Sequence, residues 1–183
     1  MNFEEHKSKV LKEFHNYLIN ISKNFKKNIM IQNLSCKEFE RNSSYEYNRL
    51  KYENQIDSFY TYLKKCMPKK TNENGEKVKM SDTDFQKEVG FPSIYELKRK
   101  TYFYSLKKDV VYLAIIGCAL SFKKAMKLIE AAHINFERDN NTIDATLFFF
   151  IDNPKYYRKN IAEDKECFNI CLEECRKFFS EIS

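Results

Sequence analysis

Glycine, proline and tryptophan are scarce in this sequence. Its 183 residues include three glycines, three prolines and no tryptophan. Sandwiches and barrels need many turns and α/β nucleotide folds need glycine loops, so the composition disfavours both. Because Gly75, Gly90 and Gly117 are isolated from one another, the Walker and dinucleotide-binding fingerprints are absent. What remains favoured is an all-α protein.

Long apolar runs are lacking as well. The longest, residues 110–120, is interrupted by Tyr112 and Gly117 and is far shorter than the ~20 residues of a membrane span. It therefore predicts a buried helix. The first seven residues have no apolar core of a signal peptide. We expect a cytoplasmic protein with no membrane partner and with its six cysteines as free thiols.

The charge balance is mildly basic. Thirty-two lysines and arginines against 26 acidic residues give a formal charge of +6. This value permits a polyanionic partner without demanding one. The chain is also 43% hydrophobic and 15% aromatic, so it can bury a sizeable core.

No catalytic constellation is visible among the titratable residues. The histidines His6, His15 and His133 have no Ser, Cys or Asp at a spacing that suggests a triad, and His6 is expected on an exposed turn. Carboxylate pairs lie in exposed helical contexts. We therefore expect a protein that is not an enzyme, with no catalytic residues and no cofactor.

Three cysteines share one face of the predicted last helix. Cys167, Cys171 and Cys175 are spaced by four residues, which suits neither a disulfide within the helix nor a complete tetrahedral zinc site. Their apolar neighbours favour packing in the core, where a free cysteine acts as a small hydrophobe. Metal binding and redox sensing remain as alternatives, and no metal site is predicted.

Apolar periodicity predicts helices along most of the chain. Ser81 is expected to cap one short helix, and Gly90 to end it in a left-handed conformation. Residues 69–79 are polar, contain an Asn-Gly turn signal and are predicted to form a mobile loop. The predicted helices cover about residues 2–27, 45–67, 81–89, 93–100, 106–120, 121–133, 142–152 and 161–182.

The stretch from about Phe59 to His133 resembles the five-helix core of phage-repressor (XRE-type) helix-turn-helix proteins. Two short helices around Gly90 would be the helix-turn-helix itself. The text Ala-Leu-Ser-Phe-Lys-Lys-Ala-Met-Lys-Leu-Ile-Glu-Ala-Ala-His at 119–133 resembles the family's fourth and fifth helices. Residues 142–151 are similar to an extra C-terminal helix found in such proteins of AT-rich bacteria and their mobile elements. His133 departs from the pattern, because the family has glycine after its fifth helix.

This resemblance implies a compact all-α domain with a helix-turn-helix-like five-helix core and amphipathic helices at both ends. Residues 1–50 would be an N-terminal helical extension and 51–135 the core. Residues 136–183 would form C-terminal helices packed on that core.

A basic segment follows the predicted turn at Gly90. Between residues 93 and 108 it has five lysines and arginines and one acid, Glu96, with aromatic residues interleaved. Such side chains would hold phosphates or contact base edges in a groove. The alternative is a solvated basic face whose aromatic residues pack inward. The predicted nucleic-acid-binding residues are Ser93, Tyr95, Lys98, Arg99, Lys100, Lys107 and Lys108.

Two functions remain open from the sequence. One is a regulator that binds DNA through the helix-turn-helix-like segment. The other is a protein-interaction adaptor or inhibitor, encoded by a phage or mobile element, that uses the same helical core. In the second case the amphipathic helix over residues 2–27 is the expected partner surface, and it would also serve a homodimer.

Overall fold

A computed structural model describes residues 1–35, 45–90, 106–138 and 141–182, with side chains given outside 24–35, 45–55 and 182. Within these ranges the chain has seven α-helices and one two-stranded antiparallel sheet, which confirms the predicted all-α class. The helices are α1 (Phe3–Ser35), α2 (Tyr45–Cys66), α3 (Asp82–Val89), α4 (Lys108–Gly117), α5 (Phe122–Ala131), α6 (Thr142–Asp152) and α7 (Ile161–Ile182). The strands are β1 (Lys69–Thr71) and β2 (Lys77–Lys79), and a short 3-10 helix covers Pro154–Tyr156.

The last helix, α7, is the one against which most of the others pack. It contacts α1, α3, α4 and α6, while α2 joins the assembly through α5. Its buried side chains recur every three or four residues, which places them on one broad stripe of the helix. The stripe consists of Ile161, Asp164, Cys167, Phe168, Cys171, Leu172, Cys175 and Phe179.

The first helix packs along α7 with the apolar face that its sequence predicts. Val10, Phe14 and Leu18 are at most 1% exposed, and the Phe14 ring lies 4.9 Å from that of Phe149 in α6. His6 belongs to the same face. It is buried, and its Nε2 lies 2.9 Å from the carbonyl oxygen of Tyr156, so the expected exposed position of His6 is wrong.

The helix α3 has the two ends that its sequence predicts. The Ser81 hydroxyl accepts a hydrogen bond from the backbone N–H of Asp84, which satisfies one of the unbonded amides of the first turn. Gly90 ends the helix at φ +77°, a conformation that costs a residue with a Cβ about 1–2 kcal/mol. α3 then packs against α4 and α7.

Residues 69–79 form a β-hairpin, so the predicted loop is wrong. β1 and β2 pair antiparallel, with Lys69 opposite Lys79 and Thr71 opposite Lys77. The turn between them is held by the Asn72 side chain, whose Oδ1 accepts hydrogen bonds from the N–H groups of Asn74 and Glu76. Gly75 has φ +78°, which agrees with the Asn-Gly turn signal. The two strands that flank this turn are only three residues long and mostly polar, so the sequence pattern predicts a loop instead.

No helix within the described ranges is long and apolar enough to cross a membrane. The most apolar one, α6, has eight consecutive buried residues from Asp144 to Ile151. It lies between α5 and α7, and burial on all sides explains the unbroken apolar run over residues 147–151.

Candidate nucleic-acid interface

The predicted helix-turn-helix is only partly within the described structure. Its first helix is α3, and the turn begins at Gly90. The predicted second helix, residues 93–100, lies outside the described residues. Five of the seven predicted nucleic-acid-binding residues lie outside them as well, namely Ser93, Tyr95, Lys98, Arg99 and Lys100.

The other two predicted residues, Lys107 and Lys108, lie at the start of α4. Lys107 is the exposed N-cap residue of that helix. Lys108 has an intramolecular partner: its Nζ lies 2.8 and 3.1 Å from the two carboxylate oxygens of Asp144, and 4.8 Å from the centre of the Phe136 ring. The Asp144 side chain is completely buried. Lys108 therefore links α4 to α6 through this ion pair.

A second concentration of positive charge lies on the β-hairpin. Between residues 64 and 79 the chain has six lysines and two glutamates. The strands alternate in exposure, so that Lys69, Thr71, Lys77 and Lys79 are exposed and form one face of the hairpin. We call this set the hairpin lysine face. None of its three lysines has an ion-pair partner among the described residues.

The register places two of these lysines directly opposite each other. Hydrogen bonds from Met80 N–H to the Pro68 carbonyl and from Asn72 N–H to the Glu76 carbonyl bracket the ladder. Lys69 and Lys79 therefore form a non-hydrogen-bonded pair, the type in which side chains approach most closely. Like charges at such positions are destabilising by up to about 1 kcal/mol. A bound anion would remove that repulsion.

Two other lysines of the same region, Lys64 and Lys70, have acidic partners. Lys70, on the opposite face of the hairpin, pairs with Asp84 in the first turn of α3, and this contact lowers the pKa of the Asp84 carboxyl. The Lys64 ammonium lies 3.5 Å from Asp82. These pairs attach the hairpin and the end of α2 to α3, and they leave the hairpin lysine face outside the pairing.

The thiol of Cys66, at the end of α2, is within electrostatic range of lysines from three elements. Burial raises the pKa of this thiol, whereas Lys124 of α5, Lys79 of β2 and Lys65 of α2 act in the opposite direction through their positive charge. α5 packs against α2, and α2 ends at Cys66, three residues before β1 begins, so the first turn of α5 and the hairpin both belong to this region of the fold. That turn carries Lys123, Lys124 and the exposed ring of Phe122.

The cysteines of α7 lie in the core. Cys167, Cys171 and Cys175 are at most 2% exposed, and burial raises the pKa of Cys167 to about 11 and of Cys175 to about 12. Buried thiols of high pKa are weak nucleophiles. Among the described residues, no group of three histidines, cysteines or acids is arranged to hold a metal ion. The positions of these thiols agree with packing in the core.

Two buried polar groups lie before and within the first turn of α7. The Asp164 carboxylate, 2% exposed, accepts the backbone N–H of Arg158 at 2.7 Å. Burial raises its pKa to about 6, although backbone hydrogen bonds act against the rise. The nearby Tyr157 hydroxyl is buried and has no hydrogen-bond partner within the described ranges. Because the Asp164 carboxylate accepts this backbone hydrogen bond, we interpret it as a structural residue that stabilises the chain before the first turn of α7.

The comparisons with known proteins give no match: no family model, no curated protein and no solved structure is similar to the chain. The candidate site therefore depends on the geometry of its own residues. The hairpin lysine face is not among the surfaces predicted from the sequence, because residues 69–79 are predicted there to form a loop. The alternation in Lys-Val-Lys at 77–79, after an Asn-Gly turn, is the signal that would have found it.

Proposed function

We propose that the protein is a non-enzymatic regulatory protein of the cytoplasm that binds nucleic acid through the hairpin lysine face. The observation that carries this proposal is the pairing of Lys69 with Lys79 directly across the hairpin. Folding sets two exposed lysines opposite each other on adjacent strands, with no acidic partner among the described residues. A phosphate backbone supplies regularly spaced negative charges that would offset this repulsion.

Neighbouring elements extend the basic surface beyond the hairpin. Lys65 and Lys124 adjoin Lys79 around Cys66, and Lys123 follows on the exposed start of α5. An extended polyanion contacts several such charges at once, whereas a single small anion does not. The predicted basic segment at 98–100 would add a further contact, and its role as a recognition helix remains a hypothesis.

A protein-interaction adaptor has less support from the surface. Such interfaces usually have a contiguous apolar patch. The large apolar side chains that are most exposed in the described ranges are Met1, Ile19 and Phe122, one each from the N-terminus, α1 and α5. Within residues 3–23 of α1, whose side chains the structure describes, Val10, Phe14 and Leu18 of the apolar face are buried against the rest of the fold.

The test is a salt titration of binding to mixed-sequence duplex DNA, followed by fluorescence anisotropy. The wild type should bind more weakly as salt rises. The triple variant Lys69→Ala, Lys77→Ala, Lys79→Ala should lose affinity, and its salt slope should fall by about 2 to 3, since each phosphate contact contributes about 0.9.

The matched control removes three exposed lysines of α1 instead, Lys9, Lys12 and Lys23, and thus lowers the net charge equally. Its salt slope should change by less than about 1 if the hairpin is the specific contact. Equal effects of the two triple variants would show that only overall charge matters. Failure of the wild type to bind both this duplex and a single strand of the same length at low salt would overturn the proposed function.

A further inference from the structure

Phe122 is an aromatic residue that the fold leaves open to solvent. It is the first residue of α5, and its side chain is 44% exposed. It begins the same stripe as Ala125, Ile129 and Ala132, all of which are buried. The apolar face of α5 therefore extends past the point at which other elements cover it. Exposure of a large ring costs hydrophobic free energy, which a partner that covers it would recover.

The surroundings of Phe122 are cationic. Lys123 and Lys124 follow it directly and are exposed. α5 packs against α2, which leads directly into the hairpin, and Lys124 and Lys79 both lower the pKa of the Cys66 thiol at the end of α2 through their positive charge. No acidic residue occurs in this turn, unlike the first turns of α1, α3, α4, α6 and α7. An apolar protein surface would desolvate these lysines at a cost, whereas a partner with both flat apolar rings and negative charge matches them.

We infer that the preferred ligand of this surface is an unpaired nucleic-acid strand, with a base stacked on the Phe122 ring and phosphates on Lys123, Lys124 and the hairpin lysine face. The inference rests on the proposed function and specifies its ligand. In a duplex the faces of the bases are already stacked on one another, so no base face is free to stack on an exposed aromatic ring. In an unpaired strand every base has a free π-face, and stacking next to a basic groove is the common mode of such binding.

The first experiment compares a fluorescein-labelled oligothymidylate with a duplex of the same length. Phe122→Ala should weaken binding to the single strand roughly 5- to 150-fold, which is the range of one base–aromatic stack, and should leave duplex affinity within about 2-fold. The control is Ile19→Ala, which removes another exposed apolar side chain, 53% exposed, from a helix outside the lysine cluster. It should change neither affinity.

A second variant tests the stack directly. The chain has no tryptophan, so Phe122→Trp introduces its one indole. Stacking of thymine on this ring should quench tryptophan emission on titration with the strand, and affinity should be retained. The same indole placed at position 19 by Ile19→Trp should keep its emission. An unquenched Phe122→Trp protein that still binds the strand would overturn the inference.

The two proposals fail in distinguishable ways. Loss of all binding in the hairpin triple variant with no effect of Phe122→Ala would keep the proposed function and refute the base stack. An equal loss of strand and duplex binding in Phe122→Ala would also refute it, because the ring would then contact something that both ligands share. Failure of the wild type to bind either nucleic acid would overturn both.

Discussion

The ion pair between Lys108 and Asp144 yields the sharpest stability prediction. Lys108 contacts both carboxylate oxygens, at 2.8 and 3.1 Å, and the backbone N–H of Glu137 donates to the same carboxylate at 2.9 Å. The two partners differ in exposure. The Asp144 side chain is 0% exposed, whereas that of Lys108 is 33% exposed. Removing Lys108 should therefore lower the free energy of unfolding more than removing Asp144.

The charge left behind sets the size of each effect. Lys108→Met leaves a buried carboxylate with one backbone donor from Glu137, and breaking a buried pair in this way costs about 3–5 kcal/mol. Asp144→Ala leaves an ammonium that can reach water, together with one unsatisfied N–H group, so we expect a smaller cost of about 3 kcal/mol. At about 2–4 °C per kcal/mol for this chain length, Lys108→Met should lower Tm by roughly 6 to 20 °C.

The assay is urea and thermal unfolding followed by far-UV circular dichroism near neutral pH. Lys177→Met is the matched control, because Lys177 pairs with Glu174 at 3.0 Å with both side chains largely exposed. It should leave the urea midpoint and the Tm close to those of the wild type, because water screens an exposed pair. The double variant Lys108→Met, Asp144→Asn should be more stable than Lys108→Met alone, since it removes the buried charge.

Two results would refute this reasoning. One is a cost below about 1 kcal/mol for both Lys108→Met and Asp144→Ala, which would mean that the pair behaves as a surface contact. The other is a larger cost for Asp144→Ala than for Lys108→Met, which would contradict the argument from exposure.

Three further predictions concern the packing around α7. Folding raises the pKa of Asp164 from 3.8 to about 6, so between these pH values the folded protein binds more protons than the unfolded chain. Protonation of Asp164 therefore favours the folded state at low pH, and this stabilisation is lost as the pH rises through about 6. Asp164→Asn, which keeps an acceptor for Arg158 N–H, should flatten the dependence of urea midpoints on pH in that window; an unchanged profile would exclude Asp164 as its source. Gly117→Ala would place a Cβ 2.5 Å from Val89 Cγ2 and should lower the free energy of unfolding in urea by about 1–3 kcal/mol. Adding Val89→Ala to the same chain should recover part of this loss, because it removes the clashing methyl group. Strictly additive effects of the two substitutions would exclude the clash. Cys171 is fully buried with a raised pKa, so its alkylation, read by mass spectrometry, should proceed only at the rate of unfolding, and fast labelling of the native protein would contradict its place in the core.

Local signals in the sequence were sufficient for several helices. Ser81 and Gly90 define the ends of α3, and the sequence predicts α6 over residues 142–152, the bounds that the structure has. The same holds for α7, which the sequence predicts over residues 161–182 and which the structure has over Ile161–Ile182. These features depend on capping and on helical periodicity, which act within a few residues of each other.

The basic surface required more than local signals. Lysines at 69, 77 and 79 look like ordinary loop residues until antiparallel pairing sets Lys69 against Lys79. Lys124 follows Lys79 by 45 residues in the chain, and it reaches the same region of the fold only because α5 packs against α2. No periodicity within a single element contains this information.

The sequence by itself determined the all-α class, the ends of its best-capped helices and the faces that become buried, because backbone hydrogen bonding and hydrophobic periodicity are local. The tertiary structure alone decided which charges meet. It placed Asp144 within the core beside Lys108, left Lys69 and Lys79 opposite each other without an acid between them, and left Phe122 uncovered. Such outcomes depend on distances between residues far apart in the chain, which are set only when the helices pack together.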